Sequence, residues 1–178
     1  MKFKILIFTF FTLLLSSVNA QQKTFTESIN EYININGTEE QYSDAIDQLF
    51  VMLKQQYASS NVPEYVWEEL KTKKTRALYQ IKIMLASAYR SHFEHDNIKD
   101  LINFYNSSAG KQYKIDPTAL SEKQKDEITL FYQSPTGKVL NQQAESLNLM
   151  CAEISESWSR SLYMEMKDEL AAKGYLLE

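Results

Sequence analysis

The sequence predicts an all-α fold, a single-domain bundle of about six or seven helices in which one helix-break motif occurs twice. Two observations support this class. Only four glycines and three prolines occur among 178 residues, whereas these turn-forming residues make up about 12% of an average protein. Apolar residues recur at spacings of three and four along most of the chain, which is the period of a helix with one buried face.

The first 20 residues have the features of a secretory signal peptide. Lys2 and Lys4 precede an apolar stretch, and residues 18–20 place small side chains before the expected cleavage site. The apolar stretch is too short to span a bilayer, which takes about 20 apolar helical residues. We therefore expect cleavage between Ala20 and Gln21, a helical domain over 21–178, and a periplasmic or secreted protein without an integral membrane segment.

The N-terminal half of the domain predicts three helices. The first covers 21–36 and ends before Gly37, although residues 32–36 also alternate like a short strand. Thr38 and Gln41 have the spacing of a capping box, which predicts that the second helix starts there. Pro63 suits the first turn of a third helix that runs to about residue 93.

The third predicted helix carries a run of positive charge. Four basic residues within six positions indicate either an anion-binding patch or an ordinary solvated helix face, and the run consists of Lys71, Lys73, Lys74 and Arg76.

The C-terminal half predicts shorter helices followed by one long helix. One helix covers about 97–106, and another covers about 122–133, where Ser121 and Gln124 repeat the capping-box spacing. Ser134 and Pro135 then predict the start of the last helix, because proline at a first helical position lacks only a hydrogen-bond donor that would be unpaired anyway. Gly174 is typical of a helix end.

The motif Phe-Tyr-x-Ser-x-x-Gly-Lys occurs at 104–111 and again at 131–138. Each copy predicts a joint at which one helix ends and the next begins, with Ser107 or Ser134 as the N-cap. Gly110 and Gly137 then lie in the first turn of the new helix, where glycine costs about 1 kcal/mol relative to alanine. We expect close approach of a neighbouring helix to offset this cost.

The two copies also define a candidate binding groove. The phenylalanines are expected to fill the core at the bends, and the alternative is that aromatic and basic side chains of both copies line one groove. The candidate groove residues are Phe104, Tyr105, Lys111, Phe131, Tyr132 and Lys138.

His92 and His95 are the candidate metal ligands, with Glu94 and Asp96 beside them. Residues three apart can meet on a helix, and imidazole with carboxylate suits zinc. No third strong ligand is evident in the sequence. No catalytic residue, resident metal or cofactor site is predicted, and the Ser-x-x-Gly-Lys segments lack the features of a phosphate-binding loop.

Charge and cysteine content restrict the partners. Loss of the signal peptide changes the formal net charge from −4 to −6, so nucleic acid is not an expected partner, because phosphate binding requires clustered Lys and Arg. Cys151 is the only cysteine. It lies in the apolar series of the last helix and is predicted to be a buried small hydrophobe.

Part of the chain resembles a known bacterial family. Residues 89–93 (Tyr-Arg-Ser-His-Phe), 101–107 (Leu-Ile-Asn-Phe-Tyr-Asn-Ser) with Gly110-Lys111, and the second motif copy resemble the bacterial domain-of-unknown-function family two thousand and fifty-nine. The resemblance implies a secreted or periplasmic all-helical protein. It carries over no catalytic residue, because the family has no assigned activity.

Three classes of function remain. The first is a non-enzymatic protein of the cell envelope that binds a partner protein, which predicts an exposed apolar patch. The second is a carrier of a small apolar ligand, which predicts an internal cavity between helices. The third is a metal-dependent hydrolase, which requires His92 and His95 to meet acids from another helix. The sequence leaves the oligomeric state open.

Overall fold

The computed structural model describes residues 23–177 as eight α-helices and two short 3₁₀ helices, without a strand in this part of the chain. The all-α prediction is confirmed. The predicted signal peptide lies outside the described residues. The α-helices are α1 Phe25–Ile35, α2 Thr38–Gln56, α3 Glu64–Lys71, α4 Lys74–His92, α5 His95–Asn106, α6 Ser108–Ile115, α7 Glu122–Gln133 and α8 Pro135–Ala172; the 3₁₀ helices are Ala58–Ser60 and Pro117–Ala119.

The third predicted helix is two helices in the structure. Backbone N–H groups of Thr72 and Lys73 donate to Glu69 and Leu70, three residues back, instead of four. This tighter turn separates α3 from α4. The sequence has no glycine or proline at this point, so its helical periodicity gave no sign of the break.

The first two helices meet at a left-handed glycine. Gly37 has φ of 91°, a conformation that glycine adopts without steric cost. Thr38 is the first residue of α2 and makes no side-chain cap, so the predicted capping box with Gln41 is wrong. The backbone nitrogen of Thr38 lies 3.0 Å from Oδ1 of Asn36, and this oxygen, not the Gln41 side chain, accepts the hydrogen bond.

One hydrophobic cluster joins the helices. Helix α1 packs against α2, α4 and α5, while α8 packs against α4 and α7. Twelve large side chains of the described chain are almost completely removed from water: Ile29, Ile33, Ile46, Leu53, Tyr57, Leu70, Ile81, Leu85, Ile98, Leu101, Met166 and Leu170. Burial of each such side chain contributes about 1.5–3 kcal/mol.

Helix α8 is 38 residues long and contacts both α2 and α4 at Trp158. The Trp158 indole packs edge-on against Tyr42 of α2, with ring centroids 5.4 Å apart. Its Nε1–H donates to the carbonyl oxygen of Ala77 in α4 at 3.2 Å. These contacts hold α8 beside α2 and α4. The surface on one side of Trp158 is therefore formed by α8 with α2, and the surface on the other side by α8 with α4.

The positively charged run of the third predicted helix is paired with acids of the same chain. Lys71 bonds to Glu68 and Lys74 to Asp47. Carboxylates of α8 pair with Lys73 and Arg76. The run is therefore neutralised within the fold, chiefly where α4 meets α8.

Cys151 is half-buried and packs against the hydrophobic cluster. Burial raises the pKa of its thiol. Among the described residues, none of the helices is both long enough and apolar enough to cross a membrane.

Candidate functional site

The two copies of the repeated motif meet in the folded chain. The rings of Phe104 and Phe131 stack with centroids 4.2 Å apart and an interplanar angle of 17°. Phe104 is buried, whereas Phe131 is half-buried. The stack connects the end of α5 to the end of α7, so two joints that are distant in sequence form one structural unit.

Each joint is built as the sequence predicts. The hydroxyl of Ser107 accepts from the N–H of Gly110 at 3.0 Å, and that of Ser134 accepts from Gly137 at 3.1 Å. These bonds satisfy backbone donors at the starts of α6 and α8. Pro135 occupies the first turn of α8.

The glycines allow each new helix to lie against the helix that it follows. A Cβ atom on Gly110 would lie 2.7 Å from the carbonyl carbon of Phe104, and one on Gly137 would lie 2.8 Å from that of Tyr132. Such distances are far inside van der Waals contact. The close approach predicted for the glycines is therefore present, and the neighbour is the preceding helix of the same joint.

Tyr105 of the first motif copy belongs to a series of tyrosine contacts that leads into the core. Tyr105 packs edge-on against Tyr32 at 5.7 Å, and Tyr32 in turn packs against Tyr89 at 5.3 Å. Burial raises the pKa of all three phenols. Burial, together with the neighbouring Tyr113, raises the pKa of Tyr132 to about 12. These phenols therefore stay protonated at neutral pH.

The six groove candidates do not share one cleft. Phe104 and Phe131 line an open cleft of about 380 Å³. Tyr105 lines a different cleft, which lies between the α1–α2 turn and α6. Lys111 and Lys138 are exposed and, like Tyr132, line neither cleft.

The two histidines connect different helices. Nδ1 of His92 donates to the carbonyl oxygen of Ala88 at 2.7 Å, and Nε2 lies 2.6 Å from the hydroxyl oxygen of Ser146 in α8. Nε2 of His95 lies 2.9 Å from the hydroxyl of Ser28 in α1. Among residues 23–177, no group of three His, Cys, Asp or Glu side chains is placed to hold a metal ion.

Two apolar grooves flank α8 at Trp158. The groove towards α4 has a volume of about 350 Å³ and is lined by Gln80, Ile83, Met84, Ser157, Trp158 and Ser161. The groove towards α2 has a volume of about 390 Å³ and is lined by Ala45, Gln48, Leu49, Met52, Trp158, Ser159 and Leu162. No charged side chain lines either groove, and both are open to solvent.

Helix α4, which carries Ile83, is followed by α5 and by the first joint with Phe104 and Gly110. Residues 80–113 match the family described as "Uncharacterized protein conserved in bacteria (DUF2059)". This match confirms the predicted resemblance over residues 80–113. The DUF2059 match includes Ile83 and the first motif copy, while the second copy and Trp158 lie outside the matched residues. No curated protein and no solved structure matches the chain.

Sequence reasoning missed the grooves beside Trp158. Ile83 and Met52 are 53% and 39% exposed, and both occupy positions outside the main apolar stripes of their helices. Ser157 and Ser159 flank Trp158 in sequence. The small serines on both sides of Trp158 were the one sequence feature that indicated grooves there. That two grooves form is seen only from the packing of α8 against α2 and α4.

Proposed function

We propose that the chain is exported to the bacterial cell envelope and acts there as a non-enzymatic protein-interaction module. The observation that carries this proposal is the pair of uncharged apolar grooves on the two sides of Trp158. Exposed apolar surface of this kind is typical of binding sites for protein partners. The signal-peptide pattern of the first 20 residues supports export.

The grooves suit the apolar face of a helix from a partner protein. Each groove has a helix on both sides, α4 with α8 or α2 with α8. The small side chains of Ala45, Ser157 and Ser161 allow a third helix to approach closely, while Ile83 and Met52 supply apolar contact area. A helix that docks in such a groove places apolar residues at spacings of three and four into it. Because the lining is uncharged, we expect hydrophobic contacts to dominate.

Site-specific photo-crosslinking in the host cells tests the proposal. A photoreactive residue at Ile83, which lines the groove towards α4, is expected to give one discrete adduct with an envelope protein. The matched control is Leu149, which is 63% exposed and lines neither groove. Equal labelling from both positions would argue against the grooves.

Binding of the purified crosslinked partner then provides the quantitative test. Ile83→Asp is expected to weaken binding at least about tenfold, because it places a charge in an apolar contact. Leu130→Asp, at a 66% exposed position in α7, is the control and is expected to leave binding unchanged. Unaltered affinity of Ile83→Asp would exclude the groove towards α4 as the docking site.

Native mass spectrometry of the protein from its own cells separates this function from the other two classes. The proposal predicts an added mass that equals the partner protein. An added mass of one apolar small molecule would instead support a ligand carrier. Retained metal would support a metal-dependent hydrolase. For export, N-terminal sequencing of the periplasmic or secreted form is expected to start at Gln21.

A further inference from the structure

A separate cleft of about 530 Å³ lies between the α1–α2 turn and α6. It shares no lining residue with the grooves beside Trp158. Asn36 and Gly37 line it at the turn, α2 supplies two carboxylates, and Tyr105 and Tyr113 supply aromatic side chains. The cleft therefore combines negative charge with aromatic surface.

The carboxylates are Glu40 and Asp44, which lie four residues apart on α2. Glu40 is 3.8 Å from the ammonium group of Lys114, a long ion pair in which the Glu40 side chain is 73% exposed. Among the described ion pairs of residues 23–177, none involves Asp44. One negative charge in the cleft thus has no cation within bonding distance in this part of the chain.

Each aromatic residue of the cleft packs against a buried aromatic ring. Tyr105 is packed against Tyr32 at 5.7 Å, and Tyr113 is packed against Phe104 at 6.5 Å. Both cleft tyrosines are half-buried, and the faces of tyrosine rings attract cations. Ile115, which is 75% exposed, adds apolar surface at the same cleft.

Lys114 shows which chemistry fits this surface. Its Cγ and Cδ atoms lie beside Gly37, and its ammonium group points to Glu40. Its aliphatic carbons thus cover the turn while its charge faces an acid. We propose that the cleft binds a primary ammonium group on an apolar stem, supplied either by a lysine side chain of a peptide or by a free alkyl amine.

In the proposed complex, the ammonium group bonds to Asp44 and lies near the tyrosine rings. The methylene stem packs on Ile115 and the ring edges, as long cationic side chains commonly pack on apolar surface. Lys114 competes with the ligand, because it already brings a positive charge to Glu40. This competition gives two substitutions with opposite expected effects.

Titrations of the purified ¹⁵N-labelled protein followed by NMR test the inference. The probes are cadaverine as a free amine, N-acetyl-lysine methylamide as a peptide lysine, and pentanol as a neutral control. We expect at least one cationic probe to give saturable shifts of the Gly37 and Gln41 amides, which weaken as salt concentration rises. Shifts from cadaverine alone identify a free amine, and shifts from the blocked lysine identify a peptide.

The variants make the test specific. Asp44→Asn is expected to weaken binding about fivefold, the size of one exposed ion pair. Lys114→Met is expected to tighten it, because it removes the competing cation. Asp126→Asn, an exposed acid on α7, is the control and is expected to leave binding unchanged. Equal shifts with pentanol, no saturable shift with either cation, or unchanged affinity in Asp44→Asn would overturn the proposal. Because the grooves beside Trp158 are tested separately, each proposal can fail alone.

Discussion

Gly110 lies so close to the backbone of Phe104 that a side chain on the glycine would have no room. A Cβ atom there would be 2.7 Å from the Phe104 carbonyl carbon, and Gly137 has the same relationship to the second copy of the motif. This contact between two consecutive helices explains why a chain with four glycines uses two of them in one repeated motif.

Gly110→Ala and Gly137→Ala are therefore expected to destabilise the protein. At an ordinary helical position this change stabilises by about 1 kcal/mol. Here the Cβ would meet backbone atoms that move only if the joint opens, so we expect a loss of about 2 kcal/mol or more. Urea unfolding followed by circular dichroism measures the change. Lys111→Ala and Lys138→Ala, at the exposed neighbouring positions, are the controls and should remain within about 0.5 kcal/mol.

The stacked pair Phe104 and Phe131 should show energetic coupling. Phe104→Leu and Phe131→Leu retain apolar volume but remove the ring contact, whose centroid distance is 4.2 Å. A double-mutant cycle on the free energy of unfolding is expected to give a coupling of about 0.5–1.5 kcal/mol. Additive effects of the two substitutions would show that the joints do not stabilise one another.

The serine caps make separate contributions to stability. Ser107→Ala and Ser134→Ala each remove the acceptor for a glycine N–H, and each is expected to cost about 1 kcal/mol. Thermal and urea unfolding provide the measurement. Ser134→Asp should retain most of the stability, since aspartate caps helices equally well. Ser159→Ala, at an exposed interior position of α8, should not destabilise; a loss equal to that of Ser134→Ala would contradict the capping account.

The raised pKa of Tyr132 predicts that the folded protein loses stability at high pH. Its pKa in the folded chain is raised to about 12, whereas an unfolded tyrosine has a pKa of about 10. The folded state thus holds this proton more tightly, and the resulting stabilisation is present below pH about 10 and lost as the pH rises towards 12. The ¹³Cζ resonance of Tyr132, assigned with Tyr132→Phe, should titrate near 12. A midpoint near 10 would be inconsistent with its burial.

Much of the helix pattern could be predicted because it depends on local chemistry. Ser121, Ser134 and Pro135 satisfy or omit backbone donors within their own first turn, so their roles follow from spacing alone. The predicted capping box at Thr38 was wrong. Thr38 and Gln41 have the right spacing, but with the left-handed turn at Gly37 the backbone N–H of Thr38 donates to Asn36 instead of Gln41.

The candidate sites could be predicted only in part. The sequence correctly indicated that Phe104 and Phe131 lie at the bends, but it could not show that their rings meet. His92 and His95 are three residues apart, yet α4 ends at His92 and α5 begins at His95, and they bond to Ser146 and Ser28 on different helices. Distances between residues on separate helices depend on packing, which periodicity does not encode.

The sequence by itself determined that residues 23–177 form helices, where most of those helices begin, and that two joints share one design. Tertiary structure alone decided that the joints stack on each other, that α8 lies beside α2 and α4 at Trp158, and that a tyrosine-lined cleft forms beside Gly37. The physical reason is that caps and helical periodicity act within a few residues of chain, whereas grooves and clefts arise from the side chains that helices distant in sequence bring together.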